Sequence, residues 1–168
     1  MTAGRPGPDG FDEFVVARGP ALLRFAHLLC GNAHLGEDLV QEVLARVHRR
    51  WARIERLEAP EAYVRRAVVR EFLSWRRRRA SREAVTAQVP DRPDGSDTAH
   101  AYAARDEMWT LLAGLPRAQR AVLVLRFYND LADDEIADTL GCTPSTVRAH
   151  ASRALAKLRT ALGEEVRR

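Results

Sequence analysis

Ser145, Thr146, Arg148, Ala149, Ser152 and Arg153 carry the most legible chemistry in this sequence. An arginine can grip a guanine edge with two donors, while serine and threonine hydroxyls more often hold phosphates. All six fall in the early turns of a helix expected from Pro144 to about Leu162. Val147, Ala151, Leu155 and Leu158 on the same helix should face a core. Before it, from Asp133, a shorter amphipathic helix carries Ile136, Ala137 and Leu140. Gly141 suits the left-handed conformation of a tight helix stop, Thr143 can cap the next helix, and Pro144 fits its first turn. The pattern is a helix-turn-helix, which lays its second helix in the DNA major groove. An ordinary helical hairpin is the alternative at this point.

A second set of residues suits a polyanion. Residues 61–82 hold eight Arg and two Glu, net +6, and residues 141–168 hold six basic and two acidic groups, net +4. The intervening residues 83–140 are acidic, so the overall charge of +4 hides two separate basic blocks. Clustered arginine on a helix is the electrostatic footprint expected for nucleic acid. Arg65, Arg66, Arg70 and Arg76 belong to the first of these blocks, and Tyr63 and Trp75, whose rings also fit a core role, lie among them.

Catalysis finds little support. Asp133, Asp134 and Glu135 are adjacent at a helix start, where they complement the helix N-terminus, rather than converging on a metal. The five histidines show no ligand spacing, and Cys30 and Cys142 read as free thiols. No cofactor, metal or catalytic residue is expected. No apolar run reaches the roughly 20 residues of a membrane span, and residues 1–10 read as a disordered tail without a signal segment, so a cytoplasmic protein is expected.

The elements that position these groups are all helical, because apolar residues recur at threes and fours and strand alternation is absent. Phe11, Phe14 and Val15 begin an apolar stripe that Gly19-Pro20 interrupts or kinks, and Leu22, Phe25, Ala26 and Leu29 continue it. Gly31-Asn32 ends this element, and Asn32 can cap a second helix whose apolar face runs Leu39, Val40, Val43, Leu44, Val47 and Trp51. Asp38, Gln41, Glu42 and Arg46 occupy its other faces. A third helix opens at Pro60 and reaches about Arg79. Residues 11–83 therefore form one bundle. Residues 84–103, rich in Pro, Gly and Asp, read as a flexible linker that lets two lobes act on separate surfaces. Residues 104–165 form a four-helix unit, one helix of which runs from Leu115-Pro116 through Tyr128. The expected fold is all-α, with two small helical bundles joined by that linker and the helix-turn-helix in the second.

Three motifs in order resemble a bacterial RNA polymerase sigma factor of the small extracytoplasmic-function (ECF) type. They are Gly36-Glu37-Asp38-Leu39-Val40-Gln41-Glu42-Val43; Ala62-Tyr63-Val64-Arg65-Arg66 leading to Ser74-Trp75-Arg76-Arg77-Arg78-Arg79; and Leu115-Pro116 with Gln119-Arg120, followed by Glu135-Ile136-Ala137 and Thr146-Val147-Arg148. Arg- and Ala-rich usage suits an actinobacterial subtype. The resemblance implies a protein that binds RNA polymerase core and directs it to promoters. Asp38, Gln41, Glu42 and Arg46 would dock on the polymerase. Tyr63, Arg65, Arg66, Arg70, Trp75 and Arg76 would meet the upstream element where strands open. Ser145, Thr146, Arg148, Ala149, Ser152 and Arg153 would read the distal element. Relatives often carry Asn at the position of Arg70 and Ser at that of Ala149. An anti-sigma factor would be a further partner of a chain that is monomeric when free. A stand-alone helix-turn-helix regulator is the rival; it would need only the second lobe and leaves the Asp38 to Val43 signature without a role.

Overall fold

In a computed structural model the structure describes residues 9–83 and 103–165, with side chains described over 10–74 and 108–163. The residues between the lobes, 84–102, lie outside the described residues, as does most of the tail at 1–10. Among the described residues every regular element is helical. Helix α1 spans Asp9–Cys30, α2 Ala33–Arg49, α3 Trp51–Ile54 and α4 Pro60–Glu83. Helix α5 spans Ala103–Ala113, α6 Arg117–Leu123, α7 Asp133–Leu140 and α8 Pro144–Glu165, and a π-helical turn, Val124–Tyr128, extends α6.

The helix stops follow local chemistry. Gly31 takes a φ of +72°, and the Asn32 side chain accepts a hydrogen bond from the Leu35 N–H at 3.2 Å, closing α1 and opening α2. Gly141 ends α7 at φ +68°, with its N–H bonded to the Ala137 carbonyl. Thr143 Oγ1 then accepts from the Thr146 N–H at 3.2 Å to cap α8.

Three sequence expectations need correction. Of the two readings of Gly19-Pro20, interruption is overturned: helix α1 continues through both residues. Proline removes one N–H from the ladder, but the apolar stripe on both sides joins one apolar cluster, which holds the helix together. Trp51 belongs to the separate short helix α3, because α2 ends at Arg49. Beyond Leu123 the α-helix gives way to the π turn, and Phe127 is left 64% exposed. One extra residue per turn rotates the face that follows, so an apolar residue in helical register leaves the core.

The first lobe is built on the buried residues Leu22, Phe25, Ala26 and Leu29 of α1, Leu39, Val40, Val43 and Val47 of α2, and Val64, Val68, Val69 and Phe72 of α4. Gly36 is buried where α2 meets α1. A Cβ there would lie 3.1 Å from the His27 backbone nitrogen, so the close approach requires glycine. This core does not end at the lobe. Val122, Leu125, Ile136 and Val147 of the second lobe belong to the same contiguous apolar cluster. A smaller cluster of Leu112, Leu115, Leu123 and Ala154 in turn packs against Leu28 of α1. The sequence expectation of lobes acting on separate surfaces therefore meets a structure in which their inner faces share one interior.

Candidate nucleic-acid interface

Two arginines at the start of α6 tie the lobes together. Arg120 is 8% exposed. Its Nη1 donates to the Leu29 carbonyl at 2.8 Å, and its Nη2 to the Ala113 and Leu115 carbonyls at 3.2 and 3.3 Å. A guanidinium cannot lose its charge in the interior, so the carbonyl oxygens at the C-terminal end of α1 and around the α5–α6 turn supply the negative pole it needs. Arg117 donates to the Phe72 carbonyl of α4 at 3.1 Å and sits 4.8 Å from the centroid of the Phe72 ring. Phe25 stacks on Tyr128 at 6.4 Å, and His27 meets Trp109 at 4.7 Å, both across the lobes. Burial lowers the His27 pKa, with Glu37 opposing. Burial pushes the Cys30 thiol up to about 11 against the pull of Arg117 and Arg120. Cys30 and Cys142 are free thiols.

On α2 the polar candidates stand outward. Asp38, Gln41 and Glu42 are exposed, while Leu39, Val40 and Val43 are buried behind them. Arg46 has a second duty that the sequence did not reveal. Its Nη2 lies 2.5 Å from a carboxylate oxygen of Glu71, which is 4% exposed, and 3.8 Å from Glu42. A buried carboxylate needs a cation to offset its lost hydration, so Arg46 supports the α2–α4 packing.

On α4, Tyr63, Arg66 and Arg70 are exposed. Arg65 is half-buried and 3.9 Å from Glu61. Arg65 and Arg66 face the second lobe across a small cleft completed by Leu125, Asn129, Glu135 and Thr139. Part of the basic face of α4 is therefore roofed by α7 and the π turn. The side chains of Trp75 and Arg76 lie outside the described residues.

On α8, Ser145, Arg148, Ser152 and Arg153 are exposed, Thr146 and Ala149 are half-buried, and Val147 and Ala151 enter the core. The hydroxyls of Ser145 and Thr146 lie 3.3 and 2.9 Å from Thr143 Oγ1, so both help to close the turn. At the start of α7, the Glu135 carboxylate accepts from the Ala132 N–H at 2.9 Å. Asp133 does more than complement the helix N-terminus: it is ion-paired with Arg126 of the π turn and lies 3.8 Å from Arg148 Nη1. Among the described residues no group of three His, Cys, Asp or Glu gathers as a metal site.

Among the described residues this is an all-helical protein of two packed lobes, with exposed arginines on one helix of each and a helix-turn-helix in the second. Residues 14–82 match the family described as Sigma-70 region 2, and residues 105–158 match Sigma-70, region 4. The RNA polymerase sigma-E factor of Streptomyces coelicolor is 37% identical over 152 residues, covering 90% of this chain and 85% of the relative. The ECF RNA polymerase sigma factor ShbA of Streptomyces griseus is 35% identical over 160 residues, 87% of this chain and 83% of the relative. Among solved structures, the sigma factor RpoE of Bartonella quintana, in complex with the anti-sigma factor NepR, aligns with a TM-score of 0.74 at 23% identity over 92% of this chain and 98% of that one. CnrH in complex with the cytosolic domain of CnrY aligns with a TM-score of 0.59 at 20% identity, covering 93% and 89%. At those identities the two structures speak for the fold. The chain belongs to the sigma-70 family, in its extracytoplasmic-function branch. It is a sigma factor that directs transcription initiation.

Proposed function

We propose that the chain is a cytoplasmic sigma factor, monomeric when free and without catalytic residues of its own, whose three surfaces divide the work of initiation. Asp38, Gln41 and Glu42, flanked by Arg46, form the face that docks on RNA polymerase core. Tyr63, Arg65, Arg66, Arg70, Trp75 and Arg76 of α4 receive the promoter where its strands part. Ser145, Thr146, Arg148, Ala149, Ser152 and Arg153 read the distal element. The corresponding domains are residues 11–83 and 104–165, joined by 84–103. The carrying observation is the division of α2, with three exposed polar side chains over the buried residues Leu39, Val40, Val43 and Val47. A docking surface needs a rigid backing, and the buried residues behind these side chains supply it. No helix among the described residues is long and apolar enough to cross a membrane.

An anti-sigma factor is the proposed third partner, since RpoE and CnrH, which share the fold, were each solved with one or with a partner's cytosolic domain. Run-off transcription with purified core polymerase tests the main reading. The wild-type chain should initiate at discrete sites only when core is present, and Asp38→Arg with Gln41→Ala should abolish core binding while thermal unfolding stays unchanged. Wild-type core affinity in that double variant refutes the docking face. Binding to a duplex operator without polymerase would instead favour a stand-alone regulator.

A further inference from the structure

We propose that Asp133, which lies outside the recognition helix, sets base selectivity by positioning Arg148. One carboxylate oxygen of Asp133 is paired with Arg126, and the other lies 3.8 Å from Arg148 Nη1. The three residues come from three consecutive elements: the π turn, the first turn of α7 and the second turn of α8. Arg126 and Asp133 are each 26% exposed, whereas Arg148 is 62% exposed. The inner pair is thus held by its surroundings, and the outer arginine reaches into solvent from it.

The chemistry follows from the guanidinium fork. Arg carries five N–H donors. A guanine edge consumes two of them, and a carboxylate behind can attract the guanidinium without competing for the base. The 3.8 Å separation is a charge contact rather than a closed hydrogen bond, so the donors needed for DNA remain free. A lone carboxylate beside DNA would repel phosphate. Here two arginines and one aspartate leave the group at net +1 (2 − 1), and Arg126 has already neutralised the acid. Asp133 therefore costs little in attraction and removes rotamer freedom that Arg148 would otherwise lose on binding. An exposed ion pair of this kind adds almost nothing to folding stability, so its value lies in orientation.

The assignment rests on Arg148 reading a base. Holoenzyme formed with wild-type chain, Arg148→Ala, Asp133→Asn and Asp133→Glu should be bound to a duplex promoter library randomised across the distal element, and the bound fraction sequenced. Arg148→Ala should erase preference at one guanine position. Asp133→Asn should reduce that same preference about two- to ten-fold, the factor that corresponds to one immobilised side chain, and leave the other positions intact. It should also raise affinity for scrambled duplex, because one negative charge is gone. Asp133→Glu should restore part of the preference. A merely structural role would lower cognate and scrambled binding together, and that result overturns the proposal. So does an unchanged preference in Asp133→Asn while Arg148→Ala loses it. No base effect from Arg148→Ala overturns the reader assignment and this proposal together. Asp133→Ser serves as the second variant if Asp133→Asn lowers the thermal midpoint.

Discussion

Replacing Arg120 with methionine should loosen the two lobes from one another. The substitution keeps an apolar stem of similar length and removes every donor. Three carbonyl bonds disappear, one at 2.8 Å to Leu29 in the first lobe and two, at 3.2 and 3.3 Å from a single nitrogen, to Ala113 and Leu115 in the second. A hydrogen bond from a charged donor contributes about 1.5–3 kcal/mol. Counting the short bond in full and the two long ones as one weaker interaction gives a loss of about 3–4 kcal/mol. For a chain of this size each kcal/mol moves the melting midpoint by about 2–4 °C, so a fall of roughly 10 °C is expected. Circular dichroism melting measures that fall. Modification of Cys30 by a thiol reagent, in a Cys142→Ser background, measures the opening with opposite signs for the two outcomes. Were the lobes still closed, losing the Arg120 charge would raise the Cys30 pKa further above about 11 and slow the reaction. An opened interface instead frees the thiol from burial and accelerates it. A midpoint shift under about 2 °C, together with slower Cys30 modification, refutes the view of Arg120 as the tie between lobes.

Arg46→Ala should lower stability by about 1.5–3 kcal/mol in urea unfolding, because Glu71 stays buried without that partner, whereas Gln41→Ala should stay within about 0.5 kcal/mol; equal effects would remove the structural role of Arg46. Acidification from about pH 7.5 to about pH 5.5 should destabilise the protein through His27. Its folded pKa lies below the ordinary 6.5, so the unfolded chain takes up the proton first and stability falls as pH drops through 6.5 toward the folded value; His27→Gln should flatten that part of the profile. Neutralising Arg76 to Arg79 should preserve or raise the melting midpoint, since like charges on one helix repel, and should reduce the salt slope of promoter binding in a titration of affinity against salt. An unchanged slope would make that block a solvated face.

Local chemistry was legible in the sequence, and partnership between distant elements was not. Asn32, Gly141 and Thr143 act within three or four residues of themselves, so their capping roles can be read directly. The buried stripe of α2 is equally plain, because helical periodicity is a property of a single segment. Leu22, Phe25 and Leu29 read as core residues, yet apolarity does not name what covers them, and part of that cover comes from the other lobe. Arg120 read as part of a motif, because nothing about an arginine in sequence shows three carbonyls waiting for it. The π turn at Val124–Tyr128 is likewise set by packing rather than by composition, and it moved Phe127 into solvent. Among the candidate site residues, the exposure of Asp38, Gln41, Glu42, Arg148 and Arg153 followed from helix phase. The pairing of Arg46 with Glu71 and of Arg148 with Asp133 did not, since each joins two different helices.

The common interior also fixes an order of events during folding. Leu29 and Arg120 are 91 residues apart in the chain. Closing a loop of that length costs about 4 kcal/mol in chain entropy before any contact returns it. The turns of α2 and the α7–α8 hairpin close over a handful of residues and cost far less. Each lobe should therefore gain its helices early, and the seam around Arg120 should set last and come apart first. A chain emerging from the ribosome completes α2 well before the segment that covers Phe25 and Leu29 has been made. For that interval those side chains lack the cover that the second lobe supplies, and the nascent first lobe is most open to capture by whatever apolar surface it meets.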